Sequence, residues 1–118
     1  MLAGELYDSL DQQLAAARRS ARVLCSRLNA SGEEETEVRA RLLNELFGAA
    51  TDAWIQPPFY CDYGTNISLG RKVFFNFNCV VLDVAHVAIG DYVLLGPALQ
   101  IYAASHPMQA GQRRVGLE

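Results

Sequence analysis

Two histidines are the residues of this chain best suited to move protons near neutral pH, because an imidazole titrates in that range. They are His86 and His106. His106 follows an even series of aliphatic residues, Ile89, Leu95 and Ile101, at intervals of six. An imidazole held rigidly at the end of such a series could remove the proton of an alcohol as a general base. A histidine in this place can equally have only a structural role, so both interpretations stay open at this point.

Thiol and metal chemistry find little support in the cysteine spacing. Cys25, Cys61 and Cys79 are odd in number and form no CxxC pair. A disulfide framework or a structural zinc site would show paired, closely spaced cysteines. A catalytic zinc normally takes three protein ligands, which two histidines do not supply. The sequence therefore predicts no metal site and a reducing environment, with Cys79 as a small core residue.

Charge and hydropathy argue against several classes of partner. The formal net charge is −3 and the isoelectric point is about 5.3. Neither value fits the basic surface that binds nucleic acid or an anionic membrane. The first residues, MLAGELYDSLDQQ, lack the basic start and apolar run of a signal peptide, and no segment has the length of a membrane span. We therefore predict a cytoplasmic protein that binds neither nucleic acid nor membrane.

The first half of the chain, residues 1–56, predicts a pair of α-helices. Apolar residues recur at gaps of three and four between Leu10 and Leu28, which places them on one stripe of a helix. The residues Ser9–Gln12 have the capping-box form and predict the start of this helix. A second, shorter stripe ends just before Gly48, a residue that favours the left-handed conformation at a helix end. Both helices need an apolar surface to pack on.

The second half, residues 57–118, is a repeat with a period of six. Pro57 and Pro58 mark the boundary, because proline does not fit a helix interior. The first place of each unit holds a large aliphatic or aromatic residue, and the fifth place holds a small or apolar residue. A two-residue insertion at Val87–Ala88 interrupts the series. The residues at the first place are Tyr63, Leu69, Phe75, Val81, Ile89, Leu95 and Ile101. This period predicts a triangular solenoid of short parallel strands around a continuous apolar axis.

Four segments of the chain are similar to a known family. "AGELYD", "WIQPPFYCDYG", "VFFNFNCVVLD" and "YAASHPMQ" resemble, in order, parts of the maltose and galactoside O-acetyltransferases of the hexapeptide-repeat family. The resemblance runs from Met1 to Glu118. It implies a mainly β fold, a left-handed parallel β-helix preceded by the helical pair, assembled as a homotrimer. It also implies transfer of an acetyl group from acetyl-CoA to a hydroxyl of a sugar such as maltose or glucose.

The resemblance also assigns roles to individual residues. It implies that His106 is the general base and that residues 107–118 begin a projecting loop. It further implies that Asp8, Asp62, Asn76 and Asp83 contact the sugar acceptor. Carboxylates and amides suit this task because they form paired hydrogen bonds with adjacent hydroxyls.

The sequence departs from the family pattern at three points. Asp62 stands where the galactoside enzymes have a serine. Val84 stands where the galactoside enzymes have the second of two adjacent acids, so the specificity for the sugar is expected to differ. Family members continue beyond "GLE", and the resemblance implies that the acetyl-CoA site lies mainly beyond residue 118. We therefore expect a β-helix truncated on its C-terminal side, either as a fragment or as a natural short form.

Two alternatives remain at this stage. The chain could be a non-catalytic trimeric solenoid that keeps acceptor residues and lacks the acetyl-CoA site. Hexapeptide solenoids also include zinc-dependent carbonic anhydrases, and His86 and His106 occupy the same place in their units. Two histidines make that alternative weak.

Overall fold

A computed structural model describes residues 2–103 of the chain, with side chains from residue 11 onward. Two helices come first, α1 (Leu2–Ala30) and α2 (Thr36–Phe47). Eight short strands follow: β1 (Trp54–Ile55), β2 (Phe59–Cys61), β3 (Ile67–Leu69), β4 (Phe74–Phe75), β5 (Cys79–Leu82), β6 (Val87–Ile89), β7 (Leu94–Leu95) and β8 (Gln100–Tyr102). The predicted order of a helical pair followed by strands is therefore confirmed.

The helical pair differs from its prediction at one end. α1 begins at Leu2 and runs through Ser9–Gln12 without interruption, so the predicted start at Ser9 is wrong. The residues before Ser9 contain no proline and are mostly good helix formers, which lets the helix extend. The predicted end of α2 is confirmed, because Gly48 has a left-handed φ of 68° and its N–H donates to the carbonyl oxygen of Asn44.

The strands form three parallel sheets that the chain visits in turn. One sheet has the order β1-β4-β7, the second β2-β5-β8, and the third β3-β6. Each strand lies opposite the strand one coil later, so Trp54 is opposite Phe74 and Phe74 is opposite Leu94. The chain therefore winds into a parallel solenoid, which buries one side chain row of each sheet on a common axis. The first strand, at Trp54, precedes the expected domain boundary at residue 57.

The register corrects the position of the insertion. Ile67 pairs with Val87, so Val87 takes the inward place that the six-residue count gives to Ala85. The two extra residues therefore belong to the corner 83–86, before β6, and not to Val87–Ala88. The hydrophobic count alone does not distinguish these positions, because Ala85 and Val87 are both apolar.

The core joins the helices to the solenoid. Phe59 and Phe75 are fully buried on the solenoid axis, and their rings meet edge to face with centroids 5.3 Å apart. Phe47 of α2 packs against Phe59 in the same way at 6.2 Å. Each large side chain buried in this way contributes about 1.5–3 kcal/mol to folding. α2 thus packs on the aromatic cluster that lies on the solenoid axis.

Asn29 fastens α1 to β2 by polar contacts. Its Nδ2 donates to the carbonyl oxygen of Phe59 at 3.1 Å, and its Oδ1 accepts the N–H of Phe59 at 2.8 Å. The side chain therefore satisfies both backbone groups of Phe59, as a neighbouring strand would do. This contact joins the last turn of α1 to the first residue of β2.

Candidate functional site

Three of the five predicted site residues have described side chains. They are Asp62, Asn76 and Asp83. Asp8 lies in α1 at a position where the side chain is not described. His106 and the predicted loop at 107–118 lie outside the described residues, so their predicted roles stay predictions.

Asp83 is fully buried and is surrounded by backbone N–H groups. Its Oδ1 accepts the N–H groups of Asp62 at 3.0 Å and Tyr63 at 2.9 Å. Its Oδ2 accepts those of Gly64 at 2.8 Å and Asn66 at 3.3 Å. A buried carboxylate is stable only where such donors replace its water. Asp83 therefore holds the turn 62–66 of the preceding coil.

This environment corrects the predicted role of Asp83. The prediction placed Asp83 in direct contact with the sugar, yet its carboxylate has no exposed surface and its oxygens are occupied by the chain itself. Asp83 thus positions the backbone of Asp62. The sequence resemblance did not reveal this, because a carboxylate that binds sugar and one that binds a turn look alike in a motif.

The same turn depends on Gly64. This glycine has a φ of 80°, a conformation that other residues rarely adopt. A Cβ at this position would lie 2.5 Å from the carbonyl oxygen of Leu46, which belongs to α2. The turn therefore packs directly on the helical region, and only glycine permits this approach.

Asp62 is the predicted acceptor residue that the structure places on a pocket. Its side chain is partly exposed and lines a pocket of about 640 Å³ between α1 and β2. The other lining residues are Arg22, Cys25, Ser26, Asn29, Ala30, Tyr60, Cys61 and Leu82. A volume of this order is typical of small-ligand sites, which span roughly 300–1,000 Å³.

The charges around Asp62 act in opposite directions on its carboxyl group. Burial, followed by the nearby Asp83 carboxylate, raises the pKa of Asp62, whereas Arg18 and Arg22 lower it by a smaller amount. The pKa therefore lies above the ordinary value. A carboxylate in this setting accepts hydrogen bonds from hydroxyl groups strongly, because each such bond replaces lost hydration.

Arg18 makes a contact beside the pocket that the sequence prediction missed. Its Nη1 donates to the Tyr63 hydroxyl at 2.9 Å, and its guanidinium lies 5.9 Å from the centre of the Tyr63 ring. This contact crosses from α1 to the turn that carries Asp62. The helical stripe offered no signal for it, since Arg18 and its neighbours Arg19 and Arg22 looked alike as solvated charges.

Asn76 lies apart from Asp62. It follows β4, and its Oδ1 accepts the N–H of Phe77 at 2.8 Å, which shapes the corner there. Its own N–H donates to the carbonyl oxygen of Leu95 in the next coil. The pocket beside Asp62 does not include Asn76. Within residues 2–103 the structure therefore brings Asp62 and Asp83 together but does not join Asn76 to them.

The described part of the solenoid fits the phosphates of acetyl-CoA poorly. Its lysine and arginine residues in 54–103 are Arg71 and Lys72. Arg71 pairs with Asp91 at 3.8 Å, and Lys72 pairs with Asp52 at 4.0 Å. Each of these cations lies beside an exposed carboxylate, and we assign no donor contact to the described residues.

The part of the chain that the structure describes contains neither a metal-ligand cluster nor a helix that could span a membrane. Between residues 2 and 103 no three histidine, cysteine or acidic side chains gather closely enough to hold a metal ion. His86 is exposed, and its Nε2 lies 3.3 Å from the Ser68 hydroxyl. Neither helix in this part of the chain is long and apolar enough to cross a membrane.

Comparison with known proteins gives one consistent result. The family model described as the maltose acetyltransferase hexapeptide capping motif matches residues 1–51. Nodulation protein L of Rhizobium meliloti (strain 1021) is 45% identical over 119 residues, which cover all of this chain and 65% of the relative. The chain therefore spans slightly less than two thirds of that protein.

Two solved structures share the fold. A maltose O-acetyltransferase from Clostridium difficile 630 superposes with a TM-score of 0.77 at 38% identity, covering 92% of this chain and 58% of the other. A hexapeptide-repeat acetyltransferase from Vibrio cholerae, complexed with acetyl coenzyme A, superposes with a TM-score of 0.71 at 39% identity, covering 86% and 55%. These similarities extend across both the helices and the coils.

Proposed function

Since this chain belongs to the maltose and galactoside O-acetyltransferase family of hexapeptide-repeat proteins, we propose that the protein transfers an acetyl group from acetyl-CoA to a hydroxyl of a sugar. Maltose, glucose or a related sugar is the proposed acceptor. The observation that carries this proposal is the Asp62 carboxylate, which lines a pocket of about 640 Å³ while Asp83 holds its backbone.

The geometry supports a polyol as the ligand of this pocket. Asp62 offers two acceptor oxygens, and Arg22 and Ser26 line the same pocket with donor groups. Adjacent sugar hydroxyls donate and accept at once, so they match a wall that holds both kinds of group. Asp8 and Asn76 are proposed as further acceptor contacts on the basis of the family motif alone.

His106 is proposed as the general base. Its imidazole takes the proton of the sugar hydroxyl while that oxygen attacks the acetyl carbonyl carbon. The carbon–sulfur bond then breaks, and the proton passes to the departing thiolate of CoA. The solenoid of parallel strands described up to residue 103 supports this role only indirectly, because general-base catalysis requires a rigid frame.

Several finer features belong to the same proposal. We expect the solenoid to be left-handed and the protein to assemble as a homotrimer in the cytoplasm. The division into a helical region, residues 1–56, and a hexapeptide-repeat region, residues 57–118, is proposed with the qualification that β1 already lies in the first region. Acetyl-CoA is expected to bind mainly through residues beyond 118.

The test of the chemistry is a pair of histidine variants of the full-length protein. His106→Ala should lower kcat by about 10²–10⁴-fold, the range that general bases supply. His86→Ala is the matched control, because this imidazole is exposed and its hydrogen bond within the described residues is to the Ser68 hydroxyl. The measurement is release of CoA thiol with maltose and with glucose. Equal loss in both variants, or no loss in His106→Ala, would contradict the proposed mechanism.

The test of the acceptor site is Asp62→Asn. We expect KM for the sugar to rise about tenfold while KM for acetyl-CoA stays unchanged, which corresponds to about 1.4 kcal/mol of lost binding. Asp52→Asn, on the exposed corner of the solenoid, serves as the control. Sugar binding without any CoA release in the wild-type protein would favour the non-catalytic solenoid instead.

A further inference from the structure

Two cysteines that lie far apart in the sequence meet beside the pocket. Cys25 belongs to α1 and Cys61 ends β2, and their Sγ atoms are 3.8 Å apart. Both side chains are buried, with 3% and 8% of their surfaces exposed. The two sulfurs are therefore in direct contact across the junction of helix and solenoid.

The contact is held by the surrounding structure. Asn29 lies one helical turn after Cys25 and binds both backbone groups of Phe59, two residues before Cys61. The helix and the strand therefore keep a constant register at this level. A disulfide needs its sulfurs at about 2.05 Å, so the two sulfurs must approach by a little under 2 Å.

The two thiols are not equivalent. The hydrogen bond that Cys61 can donate lowers the pKa of the Cys25 thiol, although burial opposes this effect. The same contact, together with burial, raises the pKa of the Cys61 thiol. Cys25 therefore ionises first, and the thiolate is the nucleophilic form of cysteine.

Both cysteines lie at the wall of the pocket. Cys25 and Cys61 are both lining residues of the 640 Å³ pocket, next to Asp62. Cys79 provides a contrast within the same chain. It is buried within the solenoid, its Sγ–H donates to the carbonyl oxygen of Gly96 at 3.3 Å, and it does not line this pocket.

We propose that Cys25 and Cys61 form a modification site, a dithiol that a peroxide converts into a disulfide joining α1 to β2 at the wall of the pocket. The Cys25 thiolate attacks one oxygen of hydrogen peroxide, the oxygen–oxygen bond breaks, and hydroxide leaves to become water. The Cys61 sulfur then attacks the Cys25 sulfenic acid, the sulfur–oxygen bond breaks, and a second water leaves. Two thiols lose two electrons, and the peroxide gains them.

The first test measures the covalent product without reference to activity. The reduced full-length protein is treated with hydrogen peroxide, its remaining thiols are alkylated under denaturing conditions, and peptides are mapped by mass spectrometry. We expect a peptide cross-linked through Cys25 and Cys61, whose mass is two hydrogens lower than the sum of the two reduced peptides. Cys79 should be recovered as the alkylated thiol. Dithiothreitol should reverse the change.

Three variants sharpen this test. Cys25→Ser and Cys61→Ser should each abolish the cross-link, whereas Cys79→Ser should leave its yield unchanged. An independent measurement on the wild type uses phenylarsine oxide, which binds paired thiols and should be taken up once by the Cys25–Cys61 pair. Cross-linking through Cys79, a disulfide only between chains, or no intramolecular disulfide would overturn the proposal.

A second measurement tests whether the Cys25–Cys61 disulfide affects sugar binding in the pocket, and this step rests on the proposed function. If the pocket binds the sugar, the oxidised protein should show a raised KM for the sugar that dithiothreitol restores. An unchanged KM with the disulfide formed would remove only the link to the pocket. Lack of acetyl transfer in both redox forms would count against the proposed function, while the mapped disulfide would stand.

Discussion

At two corners of the solenoid, aspartate carboxylates accept backbone N–H groups, but the carboxylate is buried at one corner and exposed at the other. At the first corner, the Asp83 carboxylate accepts four backbone N–H groups of the turn 62–66 and is fully buried. At the second corner, Asp91 accepts the N–H of Arg71, and Asp52 accepts that of Lys72, each at 2.8 Å. Those carboxylates are about half exposed. The bonds have similar lengths, but only the first set has replaced water.

The difference shows where a carboxylate can organise a binding site. An exposed carboxylate keeps its hydration, and its ion pairs contribute roughly 0–1 kcal/mol. A buried carboxylate must be fully hydrogen-bonded, so losing it leaves several buried donors without partners. The turn that carries Asp62 is therefore rigid for an energetic reason, whereas the corner at Arg71 and Lys72 tolerates change.

The largest effect is expected for Asp83→Ala. This change leaves the N–H groups of the turn 62–66 without their acceptor, and we expect the free energy of unfolding to fall by about 3 kcal/mol or more. Urea denaturation measures it, with Asp91→Ala as the matched control from the exposed corner. A loss equal to that of Asp91→Ala would mean that the burial of the first corner has no energetic consequence.

Gly64→Ala is expected to come second. The added methyl meets the carbonyl oxygen of Leu46, and the positive φ adds strain, so we expect a loss of about 1–3 kcal/mol. Gly90→Ala is a suitable control, since a Cβ there has no neighbour within 4 Å. Thermal melts of both variants measure the difference. Equal melting temperatures would show that the turn can move away from α2.

Asp62→Asn should have a smaller effect whose size depends on pH. The folded protein raises the pKa of Asp62, chiefly by burial, so the ionised carboxylate opposes folding at neutral pH. Protonated Asp62 stabilises the folded state fully at pH values below the pKa of this residue in the unfolded chain. This stabilisation is lost as the pH rises through the pKa of Asp62 in the folded protein. Asp62→Asn should therefore stabilise the protein at pH 7, and the gain should vanish in acid. Urea titrations at both pH values test the sign, and a gain that grows in acid would contradict it.

The smallest effect is expected for Asp91→Asn. It removes the exposed ion pair with Arg71 but keeps an oxygen that can accept the N–H of that residue. We expect a change in unfolding free energy of less than about 1 kcal/mol, decreasing with added salt. A loss comparable to that of Asp83→Ala would remove the distinction between the two corners.

Much of the fold could be predicted because it depends on local patterns. The helical stripes and Gly48 indicate the helices, and the six-residue period indicates strands around an apolar axis. The period did not locate the insertion, since pairing of Ile67 with Val87 is a property of neighbouring coils. The start of α1 was also misplaced, because a capping motif inside a good helical sequence need not begin the helix.

The site was less predictable than the fold. Asp62 was identified by motif, and the structure places it on a pocket, but the motif could not separate its environment from that of Asp83. The contacts of Arg18 with Tyr63 and of Cys25 with Cys61 join residues 45 and 36 positions apart. No local pattern encodes such pairs, because they form only when α1 packs against the first coil.

The amino-acid sequence by itself determined the type of each element, the repeat and the family, since these follow from short-range periodicity and from motifs. Tertiary structure decided which carboxylate is buried, which one faces the pocket, and which two thiols touch. The physical reason is that burial and hydrogen bonding depend on the packing of α1 and α2 against the coils. The same aspartate side chain binds a turn at residue 83 and lines a pocket at residue 62.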